Sequence, residues 1–150
     1  MIFIIPLKPA LLLINLVYFY SSLSYKMNNK YTKKDKLKNK KRIEKLFTEG
    51  NSVLVFPLRL VFLEVGENDS GTKVGVSVSK KHFKSAISRN RIKRLIREVY
   101  RLNKSVYFNN ITTQYALMIL YIGNHKPTFQ QINEAMSLLF EKFNKKISES

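Results

Sequence analysis

Hydrophobic positions in the first half of the chain predict one helix followed by two strands. The helix is predicted from apolar positions near one face and from the glycine that ends it: Leu37, Ile43, Leu46, Phe47 and Gly50. Residues 58–65 are mostly apolar, and residues 74–79 alternate between valine and small residues, so both segments predict strands. The polar, glycine-containing residues 66–71 between them predict the turn of a hairpin.

The second half of the chain predicts a helix, a strand and a last helix. The first of these helices has apolar residues at the spacing i, i+3, i+4 and i+7: Ile92, Leu95, Ile96 and Val99. Residues 115–122 form an apolar run that predicts a buried strand. Thr128 predicts the N-cap of a helix with the same period: Ile132, Met136, Leu139, Phe140 and Phe143. The predicted order is α-β-β-α-β-α, an α+β fold whose sheet and helices share one core.

The first 26 residues differ from the rest in composition. Lys8 is the only charged residue among residues 1–25, and Asn15 interrupts their longest apolar run. A spanning helix needs about 20 apolar residues, so a transmembrane segment is a strained interpretation. We interpret residues 1–26 as a hydrophobic extension that is disordered or precedes the true start at Met27, with a membrane-associating segment or a secretory signal as alternatives. Residues 27–36 predict a basic flexible arm, and residues 37–147 the folded domain.

Charge and cysteine content narrow the class of partner. Lys and Arg number 27 against 10 Asp and Glu, which gives a net charge of +17. Such an excess is typical of proteins that bind a polyanion. Cysteine is absent, which excludes disulfides, thiolate zinc sites and a cysteine nucleophile. The sequence therefore favours nucleic acid as the partner and the cytoplasm as the location.

The positive charge is concentrated around the second predicted helix. Glu98 is the only acidic residue between Lys80 and Lys104. A solvated helix face normally mixes both signs, because like charges four residues apart repel each other. Lys93, Arg97 and Arg101 form two such like-charged pairs. This pattern indicates a phosphate-binding surface, and its arginines favour bidentate contacts.

Two segments of this region closely resemble the protein subunit of bacterial ribonuclease P. They are VGVSVSKK at residues 74–81 and SRNRIKRLIRE at residues 88–98, and a weaker similarity covers most of residues 30–145. The resemblance implies an α-β-β-α-β-α two-layer sandwich with a mixed sheet. It also implies a left-handed β-α-β crossover through the basic helix, similar to a domain of a small-subunit ribosomal protein.

The resemblance also implies a function. The family's protein subunit joins a catalytic RNA, and the holoenzyme uses Mg²⁺, bound mainly by the RNA, to remove the 5′ leader of precursor tRNA. We therefore expect the catalytic RNA and precursor tRNA as partners, no stable membrane partner, and no catalytic or metal-binding residue in this chain. The residues expected to contact the catalytic RNA are Lys80, Lys81, Arg89, Asn90, Arg91, Lys93, Arg94 and Arg97. Those expected to contact the leader are Phe47, Phe62 and Tyr121.

Two other functions compete with this one. A nuclease that acts without RNA would need clustered carboxylates or a histidine in an acid–base role. Asp35 and Asp69 are the only aspartates, and His82 and His125 lie in different connectors, so we reject this function. A ribosomal or general structured-RNA-binding protein without a role in cleavage remains the alternative.

Overall fold

The computed structural model describes Leu13, Leu16, residues 30–108 and residues 111–150. The chain forms two units, Met1–Lys30 and Tyr31–Ser150, of which the second is described below. The predicted hydrophobic extension lies almost entirely outside the described residues. None of the helices within the described residues is both long and apolar enough to cross a membrane.

The second unit contains every helix and strand that the sequence predicts, together with one additional strand. The elements are α1 (Lys40–Glu49), β1 (Asn51–Val55), β2 (Leu58–Val65), β3 (Lys73–Val78), α2 (Ala86–Tyr107), β4 (Gln114–Tyr121) and α3 (Phe129–Ser148). The α+β fold is thus confirmed. The additional strand, β1, was not predicted because it is short and only partly buried, so it lacks a clear apolar alternation.

The strands form one mixed sheet in the order β1-β2-β4-β3. β2 pairs antiparallel with both β1 and β4, whereas β3 pairs parallel with β4. The predicted hairpin between β2 and β3 is therefore wrong, because β4 lies between them. β4 is buried along almost its whole length, and a strand with two apolar faces is most stable in the centre of a sheet. The parallel strands β3 and β4 are joined through α2.

The two faces of the sheet are covered by different helices. Because side chains alternate along a strand, Leu60 and Ile119 face α2 and α3, in a core cluster to which all four strands contribute. Val61 and Met118 point the other way and pack with Leu46 of α1 in a smaller cluster. The helices therefore do not share one core as predicted. This division places α1 on one side of the sheet and the basic helix α2 on the other.

The segment before α1 is attached to the outer edge of β3. The Tyr31 hydroxyl donates a hydrogen bond to the Val74 carbonyl at 2.9 Å, and the backbone nitrogen of Val74 donates to the Asp35 carbonyl at 2.8 Å. The Tyr31 ring also lies edge-on to Tyr100 of α2, with the ring centres 6.1 Å apart. Residues 31–36 of the predicted flexible arm thus make defined contacts, because Tyr31 brings an apolar ring to the core and β3 offers unpaired backbone groups. Residues 27–29 lie outside the described residues.

The last helix begins where the sequence predicts. The Thr128 side chain accepts a hydrogen bond from the Gln131 backbone, and the Gln131 side chain accepts one from the Thr128 backbone. This capping box satisfies two backbone donors that the first turn of a helix would otherwise leave unpaired. It also fixes the direction in which α3 leaves the loop after β4, and hence the position of Phe129 beside α2.

Candidate nucleic-acid interface

The first half of α2 directs its basic side chains away from the core. Ile92, Ile96 and Val99 are buried, so the opposite side of the helix faces solvent. Its exposed and half-exposed polar residues, with the two lysines that follow β3, are named here the basic surface: Lys80, Lys81, Arg89, Asn90, Arg91, Lys93, Arg94 and Arg97. Because α2 follows β3 through a short connector, the lysines at the end of the strand lie near the start of the helix.

Acidic side chains neutralise only the second half of α2. Glu98 pairs with Arg101 at 2.6 Å, and Asp35 pairs with Lys104 at 3.8 Å. The hydrogen bond from Arg101 lowers the pKa of the Glu98 carboxyl, which therefore stays ionised. In the part of the chain that the structure describes, no salt bridge includes a residue of the basic surface. Its positive charge is thus available to a phosphate backbone.

Arg89 also supports the basic surface from within the fold. Its guanidinium Nη1 donates to the carbonyl of Phe83 at 2.7 Å and to that of Lys84 at 2.6 Å. These bonds hold the connector before α2 against the start of the helix, where the side chain of Ser85 makes no capping hydrogen bond. Arg89 therefore orients the loop that carries Lys81 and leaves only part of its guanidinium for RNA.

Arg97 lies half-buried on the side of α2 that faces the segment before α1. It adjoins the Tyr31 hydroxyl, whose pKa is raised mainly by burial, an effect that the nearby Arg97 charge opposes. The Arg97 Nε atom is buried and has no hydrogen-bond partner among the described residues. Part of the Arg97 guanidinium is therefore withdrawn from solvent, whereas the side chains of Arg91 and Arg94 are exposed.

Of the three aromatic residues expected to contact a leader, only Phe47 is accessible. Phe47 projects from α1 with 51% of its surface exposed, whereas Phe62 and Tyr121 are only 5% and 4% exposed. Phe62 packs edge-on to Phe143 with the ring centres 4.9 Å apart, and the Tyr121 hydroxyl donates to the His125 carbonyl at 2.5 Å. Both face α2 and α3, away from α1, so neither can stack on a strand that Phe47 holds.

The sequence did not indicate which residues accompany Phe47 on this side of the sheet. The Met118 side chain packs directly against Gly75 of β3, and a β-carbon at Gly75 would lie 2.7 Å from the Met118 Cε atom. Arg59 of β2 is exposed, and it donates a hydrogen bond to the Ser52 hydroxyl of β1 at 3.1 Å. Arg59 lies two residues before Val61, which packs with α1, so it is a cation on the α1 side. The sequence could not show this because β2 is apolar on both faces.

The two histidines lie in separate connectors, as the sequence indicates. His82 is exposed before α2, and His125 is exposed after β4, where its carbonyl accepts the Tyr121 hydrogen bond. Among the described residues, no group of three or more His, Cys, Asp or Glu side chains is arranged to hold a metal ion.

Sequence comparison finds known proteins that are similar to this chain over most of the second unit. The family model described as Ribonuclease P matches residues 31–144. The ribonuclease P protein component of Porphyromonas gingivalis is 36% identical over 110 residues, which cover 70% of this chain and 80% of that protein.

Solved structures share the fold at lower sequence identity. The Staphylococcus aureus RNase P protein superposes with a TM-score of 0.59 at 21% identity, over 71% of this chain and 93% of that chain. The RNase P protein from Thermotoga maritima gives a TM-score of 0.58 at 23% identity, over 71% and 96% of the two chains. With a family match that spans nearly all of the second unit, the chain belongs to the ribonuclease P protein family.

Proposed function

We propose that this chain is the accessory protein of a ribonuclease P holoenzyme, in which it binds the catalytic RNA and the 5′ leader of precursor tRNA. The uncompensated positive charge of the basic surface carries this proposal. Each phosphate that a cation neutralises releases condensed counterions, which drives association with RNA. Arg91 and Arg94 add the bidentate geometry that suits a phosphate group.

The opposite side of the sheet supplies the leader site. Phe47 offers an exposed ring and Arg59 an exposed cation, both on the side that α1 covers only in part. Aromatic stacking is worth about 1–3 kcal/mol per base and accepts any base, which suits leaders of different sequence. The protein would then contact the catalytic RNA on one side and the leader on the other.

The chemistry of cleavage is assigned to the RNA and to the Mg²⁺ ions that it mainly holds. This chain contributes binding and positive charge, and no atom of it takes part in the reaction. Because cations on the protein reduce repulsion between the two RNA molecules, they replace part of the charge that Mg²⁺ must otherwise supply.

The proposal is tested by the effect of the protein on the Mg²⁺ concentration that the catalytic RNA requires for cleavage. We expect that adding the chain to the catalytic RNA lowers the Mg²⁺ concentration for half-maximal cleavage of precursor tRNA. The measurement is the initial rate of leader release across a Mg²⁺ titration with and without the protein. Tight binding of RNA with an unchanged titration would contradict the proposal and favour a general RNA-binding protein.

The leader site is tested with Phe47→Ala. We expect the holoenzyme to bind precursor tRNA about 5- to 100-fold more weakly, since one base no longer stacks on a ring, and to bind mature tRNA unchanged. The measurement is the Kd for each RNA at fixed salt. Leu138→Ala is the matched control, because Leu138 is equally exposed (52% against 51%) but lies on α3. Equal losses for precursor and mature tRNA would rule out a leader contact at Phe47.

A further inference from the structure

A depression of about 560 Å³ lies between the first half of α2 and the loop that leads into α3. Its apolar lining includes Leu95, Pro127 and Phe129. This volume is within the range of about 300–1,000 Å³ that is usual for sites that enclose a small organic group. The depression is therefore large enough for a nucleobase, which has two apolar faces and a polar edge.

Cations from two elements surround this apolar lining. Arg91 and Arg94 come from α2, and Lys126 comes from the loop after β4. Within residues 30–108 and 111–150, none of the three forms a salt bridge. An apolar segment of a protein partner would leave three desolvated cations unpaired, whereas a nucleotide places its base inside and its phosphates at the rim.

Phe129 is held at the edge of the depression by the fold. It is the first residue of α3, directly after the Thr128 cap, and 44% of its surface remains exposed. The capping box fixes the backbone at Phe129, so the ring is attached at a defined place beside α2 and turns only about its own side-chain bonds. The backbone that carries the aromatic side of the site is thus preorganised.

We infer that this depression binds one unpaired nucleotide of the catalytic RNA, with the base against Phe129 and the flanking phosphates on Arg91, Arg94 and Lys126. The choice of RNA rests on the proposed function. α2 and α3 lie on the opposite side of the sheet from α1, so a leader at Phe47 does not reach the depression. The catalytic RNA, which the proposed function places along α2, does reach the depression.

Phe129→Ala tests the inference in the full chain. We expect about a tenfold weaker Kd for the catalytic RNA with an unchanged slope of log K against log salt, because the variant removes a stacking ring and leaves every phosphate-binding cation in place. Phe129→Tyr keeps a ring and should retain wild-type affinity. Ile87→Ala is the control, since Ile87 is 82% exposed in the first turn of α2 but does not line the depression.

The nucleotide itself is identified by photocrosslinking. A benzophenone side chain at position 129 should crosslink to one unpaired nucleotide of the catalytic RNA. Removing the base of that nucleotide should weaken binding to the wild type but not to Phe129→Ala. Crosslinks confined to double-helical RNA would overturn the inference, as would additive effects of the two changes.

The outcomes also separate this inference from the proposed function. Suppose that the wild type binds the catalytic RNA and lowers the Mg²⁺ requirement of that RNA. If Phe129→Ala and Ile87→Ala then bind the RNA as tightly as the wild type does, only the nucleotide site is refuted. The same holds if Ile87→Ala weakens binding as much as Phe129→Ala. If the wild type does not bind the catalytic RNA, the proposed function and the nucleotide site are refuted together. Thermal unfolding of each variant confirms that its fold is retained.

Discussion

Replacing Arg91 and Arg94 together by alanine is expected to weaken binding of the catalytic RNA by roughly 100-fold. A hydrogen bond to a charged group contributes about 1.5–3 kcal/mol, or about tenfold or more in affinity for each side chain. The slope of log K against log salt should flatten by about 0.7 to 0.9 for each phosphate that is no longer neutralised. Titration of labelled catalytic RNA at several salt concentrations measures both quantities.

The fold should tolerate this double substitution. Both side chains are exposed, and neither forms a salt bridge among the described residues, so their removal leaves the packing of the core intact. Alanine is also the best helix former. We therefore expect the free energy of unfolding to stay the same or to rise as repulsion along α2 decreases.

Arg101→Ala is the matched control for charge. It removes one positive charge from the same helix, but that charge is already paired with Glu98. We expect a decrease in affinity well below that for Arg91→Ala or Arg94→Ala alone. Equal decreases at all three positions would mean that net charge, and not the basic surface, determines affinity. An unchanged slope in the double variant would refute the phosphate contacts.

Replacing Phe140 by alanine is expected to lower the free energy of unfolding by about 3–5 kcal/mol. Phe140 lies fully inside the core, and its ring stacks on Tyr107 of α2 with the ring centres 4.2 Å apart. Phe108 and Phe143 pack against it edge-on. The substitution thus leaves a cavity where α2 meets α3. Since small domains have only about 5–15 kcal/mol of stability, a large part of the total would disappear.

Urea unfolding of the free protein measures this effect. The urea concentration at which half of the protein is unfolded should fall. The slope of the free energy of unfolding against urea concentration should stay the same, because the surface exposed on unfolding hardly changes. Leu138→Ala on the same helix is the control, and a change within about 0.5 kcal/mol is expected for this exposed residue. A decrease under about 1 kcal/mol for Phe140→Ala would contradict the tight packing between α2 and α3. The folded chain holds the basic surface in one arrangement, so we expect the catalytic RNA to bind it more tightly than the unfolded chain. Adding that RNA should then restore part of the stability.

Local patterns in the sequence were enough to predict several features of this protein. The helical period from Ile92 to Val99 is a property of consecutive residues, so it predicted α2 and the direction of its basic side chains. The cap at Thr128 was predictable for the same reason, because its hydrogen bonds span three residues. The motif around residues 88–98 indicated the family, which the comparisons confirm.

Other features depend on residues that are distant in the sequence, and only the tertiary structure decided them. β2 is apolar on both faces, so its period could not tell whether Phe62 points toward α1 or toward α3. The position of β4 between β2 and β3 depends on which strand is stabilised most when both of its faces are buried. Answering that question requires a comparison of all the strands. The hydrogen bonds of Arg89 and the depression beside Phe129 form only where separate elements meet, so the order of residues alone did not reveal them.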